Sequence, residues 1–136
     1  MSYAVSEALQ AAIYARLTGH GPLTDLLGGA IYDALPAGPL PPLYATLGAE
    51  RARDRSDVTA RGAEHDLMVS VVSDAAGFRA AKAAAAAVSD ALAAPLPPLA
   101  RGRLAGLWFL RARARREGSG DARRIDMVFR ARTEDI

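Results

Sequence analysis

The sequence predicts a single α+β domain over residues 1–136, with a mostly antiparallel sheet, two long helices and a long C-terminal β-hairpin. The length of 136 residues and a hydrophobic fraction of 51% suit one globular domain with its own core. Apolar residues recur at helical spacing in some segments and alternate with polar residues in others. Two of the alternating segments flank a glycine-containing turn near the C-terminus, which is typical of a hairpin.

Helices are expected at residues 3–18 and 22–27. In the first segment the apolar residues repeat every four positions and share one face: Val5, Leu9, Ile13 and Leu17. Pro22 has the fixed backbone angle that suits the first turn of the second helix, and Gly28 follows its last residue. The two segments therefore predict a helical N-terminal region with one buried side.

Strands are expected at residues 31–34, 43–47 and 65–73, and a stiff Pro-rich connector separates the first two. A further long helix is expected at residues 75–93. Its apolar residues recur at spacings of three and four: Phe78, Ala81, Ala85, Val88 and Leu92. Such a stripe is suited to docking on a sheet or on another helix.

The charged segment over residues 48–64 is expected to be a long loop. Most charge-rich loops are solvated and mobile, but loops longer than about 12 to 15 residues are uncommon in compact domains and often functional. Its side chains mix both signs, which suits protein contacts better than a phosphate track. We expect the loop to become ordered on assembly, with these residues at a protein interface: Arg51, Arg53, Asp54, Arg55 and Asp57.

The C-terminal hairpin is expected to join strands at residues 103–116 and 123–132. If Glu117 pairs with residue 122, one continuous apolar face forms from Trp108, Leu110, Ala112 and Ala114 with Ile125, Met127, Phe129 and Ala131. The opposite face collects Arg111, Arg113, Arg115, Arg124, Asp126, Arg130 and Arg132. A slip of one residue would mix the two sets, so the pattern itself predicts the register.

The arginine face of the hairpin is the second predicted protein interface, with Arg111, Arg113, Arg115, Arg124 and Arg130 as its residues. Arg115 would lie opposite Arg124, and an acidic partner would relieve the repulsion between them. The longer strand spans roughly 45 Å at about 3.3 Å per residue, against a diameter of roughly 37 Å for a compact domain of this size. We therefore expect the hairpin tip to project beyond the globule.

Nucleic acid is the alternative partner for this face, which would make the protein a nucleic-acid-binding module. The formal net charge is only +2, so the composition does not demand such a partner. Aromatic stacking platforms are sparse, because Phe109 is the only aromatic residue that the expected register places on the arginine face. A protein partner is therefore favoured.

No catalytic, cofactor or metal site is expected. The chain has no cysteine, no glycine loop in a phosphate-binding context and no serine in a nucleophile elbow. His65 stands beside Glu64 and Asp66, but along a strand those carboxylates point away from the imidazole. A small hydrolase built around His65 is a third hypothesis. No membrane partner is expected, because no window of about 18 uninterrupted apolar residues is present.

Several short segments resemble a family of small phage tail-completion proteins. The matching segments are residues 31–36, 43–47, 54–57, 62–66 and 68–73. The likeness covers nearly the whole chain and depends on the order and spacing of these motifs. Within the family, the sequence is similar to the tail terminators of bacterial gene transfer agents and related siphophages. The minor tail protein U of lambda-like phages is a distant relative in fold.

The resemblance implies a structural virion protein and not an enzyme. Such proteins form homo-hexameric rings on the head-proximal end of a finished tail tube, stop tube polymerisation and join the tail to the head. The implied partners are further copies of the chain, the tail tube protein and the head–tail stopper or connector. DNA would pass through the channel without sequence readout. The implied location is the tail of a phage-like particle that is assembled in the bacterial cytoplasm.

Overall fold

The computed structural model describes residues 3–59, 61–118 and 122–135. The elements follow in the order α1 (Ser6–Thr18), α2 (Gly21–Leu27), β1 (Ile31–Tyr32), β2 (Leu43–Asp54), β3 (Arg61–Ser73), α3 (Arg79–Ala93), β4 (Arg103–Arg116) and β5 (Arg123–Asp135). The strands form one sheet in the order β1-β2-β3-β5-β4. β1 is parallel to β2, and the other neighbouring pairs are antiparallel. The predicted α+β class is confirmed.

The helices cover one face of the sheet and leave the other face open. The predicted stripe of α1 is buried, and so are four residues of the α3 stripe: Ala81, Ala85, Val88 and Leu92. They belong to one core with alternate residues of β3 and β5: Val69, Val71, Ile125, Met127, Phe129 and Ala131. The predicted core faces of both long helices are confirmed, although α1 begins at Ser6 and α3 at Arg79, each a few residues later than expected.

The predicted loop over residues 48–64 is wrong. β2 continues to Asp54 and β3 begins at Arg61, so most of the segment is paired strand. The connection between the two strands is short, and Ala60 within it lies outside the described residues. The expected ordering on assembly therefore does not apply to the paired residues, which are already part of the sheet.

Cross-strand charge pairing explains why this segment forms strands. Arg51 lies opposite Asp66 and Arg53 lies opposite Glu64 in the β2–β3 ladder. Charges of opposite sign at facing positions stabilise an antiparallel pair. The charges therefore mark a polar sheet face and not an irregular loop.

β2 contains a bulge between Leu47 and Glu50, where its pairing with β3 shifts by one residue. Thr46 pairs with Ser70 before the bulge, and Arg51 pairs with Asp66 after it. Even-numbered residues of β2 therefore lie on the open face before the bulge, and odd-numbered residues lie there after it. The same shift turns Glu50 toward the helices.

The predicted hairpin register is confirmed beside the turn and wrong further from it. Residues 111–116 of β4 make the predicted pairs with β5. Leu110 is then an extra residue in β4, and beyond it Phe109 faces Phe129 where Leu110 was expected. A bulge of this kind changes which side chains reach each face and has no signature in the apolar pattern.

The expected projection of the hairpin beyond the rest of the domain is wrong for its described strands. β5 pairs with β3 along its whole length, from Arg123 opposite Ser73 to Asp135 opposite Arg61. β3 ends at Ser73, as predicted, and Ser73 lies opposite the first residue of β5, so β3 flanks the hairpin up to the turn. The turn residues 119–121 lie outside the described residues.

Candidate interface on the open face of the sheet

Side chains from four adjacent strands share the open face, on the side away from the helices. The register places them in three rows: Arg51, Asp66, Arg130 and Trp108; Arg53, Glu64, Arg132 and Gly106; Thr46, Ser70, Asp126 and Arg113. The two interfaces that the sequence predicted as separate sites therefore meet on one surface.

Residues of both predicted interfaces line a depression of about 330 Å³: Arg51, Ala52, Arg53, Glu64, Asp66, Arg111 and Arg130. Within it, Arg130 donates two hydrogen bonds to Asp66, from Nε to Oδ1 at 2.8 Å and from Nη2 to Oδ2 at 3.1 Å. This bidentate geometry is strong and directional. The hydrogen bond from Arg130 holds the pKa of Asp66 below its usual value, against the opposing effect of burial.

Glu64 is the second carboxylate of the depression. Its Oε1 accepts a hydrogen bond from Arg53 Nε at 2.8 Å, and its Oε2 accepts one from Arg55 Nε at 3.2 Å. Burial favours a higher pKa for Glu64, but the hydrogen bond from Arg53 and the charges of Arg130, Arg53 and Arg55 outweigh it and lower the pKa. Glu64 is thus an ionised centre held by three strands.

A second ionic cluster lies nearer the hairpin turn. Asp126 accepts hydrogen bonds from Ser70 Oγ at 2.6 Å and Arg124 Nε at 2.8 Å, and Arg115 Nη2 lies 3.5 Å from its other oxygen. Burial favours a higher pKa for Asp126, but the bonds from Ser70 and Arg124 and the charges of Arg124 and Arg115 lower it. The repulsion expected between Arg115 and Arg124 is therefore relieved within the chain.

Arginines on the open face outnumber the carboxylates that could neutralise them. Arg53, Arg115, Arg124 and Arg130 form ion pairs there. In the part of the chain that the structure describes, no ion pair is formed by Arg51, Arg111, Arg113 or Arg132. The open face therefore keeps a positive surplus, which suits a partner that carries carboxylates.

The bulge at Leu110 exchanges the two aromatic residues of β4. Trp108 lies on the open face opposite Arg130 and is 44% exposed. Phe109 lies on the helix-covered side, 49% exposed, with its ring centroid 5.8 Å from that of Phe129 in an edge-to-face arrangement. The expectation that Phe109 is the aromatic residue of the arginine face is wrong, because Trp108 takes that place.

Two residues of the first predicted interface shape the β2–β3 connection. Asp54 Oδ1 accepts hydrogen bonds from the backbone N–H of Ser56 at 3.0 Å and from its hydroxyl at 2.6 Å. Asp57 binds Thr59 in the same way, at 2.8 and 2.9 Å. Short aspartate-to-backbone bonds of this kind define turns. The bonds from Ser56 also lower the pKa of Asp54. Both carboxylates therefore lie outside the depression.

A polar cluster that the sequence did not reveal lies under the N-terminus of α1. His65 is 0% exposed, with Nδ1 at 3.1 Å from Glu50 Oε2 and Nε2 at 3.0 Å from Thr133 Oγ1. Glu50 also accepts hydrogen bonds from Ser6 Oγ, at 2.9 and 3.0 Å to its two oxygens, and from the Tyr3 hydroxyl. Only the β2 bulge brings Glu50 to this side, so alternation along the strand could not have indicated it.

His65 and the two carboxylates beside it in the sequence are divided between the two faces of β3. His65 points toward the helices, whereas Glu64 and Asp66 point into the open face. Within residues 3–59, 61–118 and 122–135, no group of three or more His, Cys, Asp or Glu side chains is placed to hold a metal ion. Among the described helices, none is long and apolar enough to cross a membrane.

The chain has relatives among proteins of phage-like tails. Residues 11–134 match the family described as tail completion protein gp17. The chain is also similar to one in the solved virion of a native gene transfer agent particle, with 60% identity over 98% of this chain and 99% of that one and a TM-score of 0.92. No curated protein matches the chain.

These similarities define a structural protein of a phage-like tail, whose place is in the virion. The chain belongs to the tail completion protein gp17 family. The resemblance that the sequence motifs suggested is therefore confirmed.

Proposed function

We propose that this protein caps the head-proximal end of the tail tube as a ring, stops further tube polymerisation and joins the tail to the head connector. Its partners in this role are further copies of itself in a homo-hexamer, the tail tube protein and the head–tail stopper or connector protein. DNA passes through the ring without sequence readout. The role depends on binding alone and requires no cofactor, metal or catalysis.

The observation that carries the proposal is the likeness to a virion component along the whole chain. An identity of 60% over 98% of the chain, with a TM-score of 0.92, includes every helix and strand described above. A likeness limited to the fold would leave the surfaces free to differ. Identity at this level extends to surface residues, which are the ones that a ring-forming protein uses.

The distribution of charge supports a ring. A heterologous ring needs two different patches on each subunit. The open face is rich in arginine, whereas the helix layer exposes charges of both signs: Glu7, Asp25, Asp90, Arg79 and Lys82. We place the contacts of the assembly on the residues predicted from the sequence: Arg51, Arg53, Asp54, Arg55, Asp57, Arg111, Arg113, Arg115, Arg124 and Arg130.

The test is deletion of the gene in the producing strain, followed by negative-stain electron microscopy of the particles. We expect tails of abnormal length, or tails detached from heads, because neither the tube end nor the joint would be completed. Normal and complete particles after deletion would contradict the proposal. So would absence of the protein from purified particles.

Complementation tests the role of the open face. Simultaneous Arg111→Glu and Arg113→Glu substitution reverses charge at two unpaired arginines and should fail to restore normal particles. Arg79→Glu makes the same kind of change on α3, on the opposite side of the sheet, and should restore them. Both variants must be folded and expressed at the level of the unmodified protein. Rescue by both would show that the arginines of the open face are dispensable.

Nucleic-acid binding is kept as a second candidate because Trp108 lies half-exposed among the arginines of the open face. Aromatic stacking beside basic residues is the usual means of binding single strands. Such binding would weaken steeply with salt, in proportion to the number of phosphates neutralised, and would be reduced by Trp108→Ala. Weak binding to a single-stranded oligonucleotide, with an affinity that does not change with salt concentration, would exclude nucleic-acid binding as the function.

A further inference from the structure

The outer edge of β4 is a long free edge of the sheet. β4 comes last in the strand order, and β5 is its one partner among the described strands. The Glu117 N–H donates to the Ala122 carbonyl at 3.0 Å, which sets the phase of the ladder. Hydrogen-bonded and non-hydrogen-bonded pairs alternate along an antiparallel ladder. The backbone N–H and C=O groups of Ala112 and Ala114 therefore point away from β5.

Side chains along this edge alternate between two chemistries. Arg111, Arg113 and Arg115 lie on the open face, and Ala112 and Ala114 lie between them on the other face, both exposed. Charged side chains commonly protect free edges from unwanted pairing. Here the charge at the alternate positions has one sign only, so it repels a basic strand and attracts an acidic one.

We propose that the free edge of β4 binds an extended acidic segment of another protein as an added strand. Carboxylates at alternate positions of that segment face the arginines, and small apolar side chains between them face Ala112 and Ala114. Backbone hydrogen bonds supply affinity in this mode of recognition, and alternate side chains supply specificity. The inference deepens the assembly role proposed above, since the segment would belong to a protein of the same particle, but the binding itself requires only this chain.

A second copy of the chain fits this edge poorly. At the other end of the sheet, β1 pairs with Ala45 and Thr46 alone, which leaves the later part of β2 as the second free edge within the described residues. That part carries Arg51 and Arg53 on the same face as the arginines of β4. Pairing these edges would set like charges side by side, which is destabilising.

The test is fluorescence anisotropy with the full chain and a labelled synthetic peptide in which Glu and Val alternate. We expect saturable binding, and binding about tenfold weaker for a peptide of the same composition with its Glu residues grouped at one end. Ala112→Pro removes an outward N–H without breaking the β4–β5 ladder and should weaken binding about fivefold. Ala112→Ser keeps the N–H and is the matched control.

Charge reversal and hydrogen exchange locate the bound peptide. Arg113→Glu should weaken peptide binding about tenfold, whereas Arg79→Glu, on α3, should leave it unchanged. Peptide binding should also slow exchange of the backbone amides of Ala112 and Ala114, which are solvent-facing in the free protein. Slower exchange confined to another strand would overturn the assignment.

Equal affinity for the alternating and grouped peptides would overturn the proposal, as would equal affinity of the Ala112→Pro and Ala112→Ser variants. Amide protection at Ala112 and Ala114 that grows with concentration of the protein alone would overturn it too, because a second copy would then occupy the edge. The ring proposal is tested independently of the peptide. Particles made defective by gene deletion would support the ring even if the peptide did not bind.

Discussion

Arg115 lies directly opposite Arg124 across the β4–β5 ladder, and both guanidinium groups contact the carboxylate of Asp126. Arg124 also reaches Glu117, with Nη1 at 3.3 Å from Oε1. The two arginines are thus held together by carboxylates of their own hairpin. Asp126 is the central member because Ser70 of β3 donates to it as well, so a single side chain connects three strands.

Asp126→Asn should destabilise the protein by about 1.5–3 kcal/mol, the range for hydrogen bonds to a charged group. The amide cannot neutralise the two arginines, which then repel each other. Urea denaturation monitored by circular dichroism measures the change in the free energy of unfolding. Asp25→Asn, at an exposed position of α2, is the matched control and should change it by less than about 0.5 kcal/mol. Equal effects would contradict the central role of Asp126.

Acid should destabilise the protein through the three carboxylates of the open face. The pKa values of Asp66, Asp126 and Glu64 in the folded chain lie below the ordinary values of 3.8 for Asp and 4.5 for Glu. Their contribution is complete above those ordinary values and is lost as the pH falls through the lower folded values. Urea midpoints measured across this acidic range should fall with pH. Asp126→Asn should show a shallower fall, and an unchanged slope would exclude Asp126 as a contributor.

Glu50→Ala should destabilise the protein by about 1–3 kcal/mol, because it leaves the buried His65 ring and the Ser6 hydroxyl without an acceptor. Tyr3→Phe removes one bond to the same carboxylate from an exposed residue, and we expect a loss of about 1 kcal/mol or less. Chemical denaturation of both variants provides the comparison. A larger loss for Tyr3→Phe would show that the buried part of the cluster contributes little.

Gly102→Ala should be more destabilising than Gly28→Ala. Both glycines have positive φ, +70° and +60°, so both substitutions carry the cost of about 1 kcal/mol of a left-handed backbone. At Gly28 the added Cβ meets open space, whereas at Gly102 it would lie 2.6 Å from the Glu134 carbonyl oxygen and 2.7 Å from Val5 Cγ2. We expect an additional loss of about 1–3 kcal/mol at Gly102. Thermal melts would reveal the difference, and similar melting temperatures would argue against a close approach at Gly102.

The elements that the sequence predicted correctly depend on spacing within a short segment. The apolar stripe of α3 and the pairing of residues 111–116 in the hairpin follow from positions that are close in the chain. The second half of β2 could not be predicted in this way. Its alternating charges resemble those of a loop unless the facing strand is known, and Arg53 finds Glu64 only once the two strands pair.

The residue types of the candidate interface were predictable, but their convergence was not. Arginine at alternate positions of the hairpin indicates a charged sheet face. Arg53 and Arg130 both approach Glu64 because the strands lie in the order β2-β3-β5. A local sequence pattern does not predict this strand order. The side on which Trp108 lies depends on one unpaired residue, Leu110, whose identity gives no sign of a bulge.

The bulges of β2 and β4 have a genetic consequence. Deleting the codon for Leu110 would remove the unpaired residue and leave Phe109 opposite Phe129 and Arg111 opposite Val128, so Trp108 would stay on the arginine side. A one-codon deletion between Leu47 and Glu50 would likewise leave Leu47 opposite Val69 and Glu50 opposite Leu67. These two points can therefore lose one residue without a change in the surface offered to a partner, whereas the loss of one residue elsewhere in either strand would reverse the faces of the residues on one side of it.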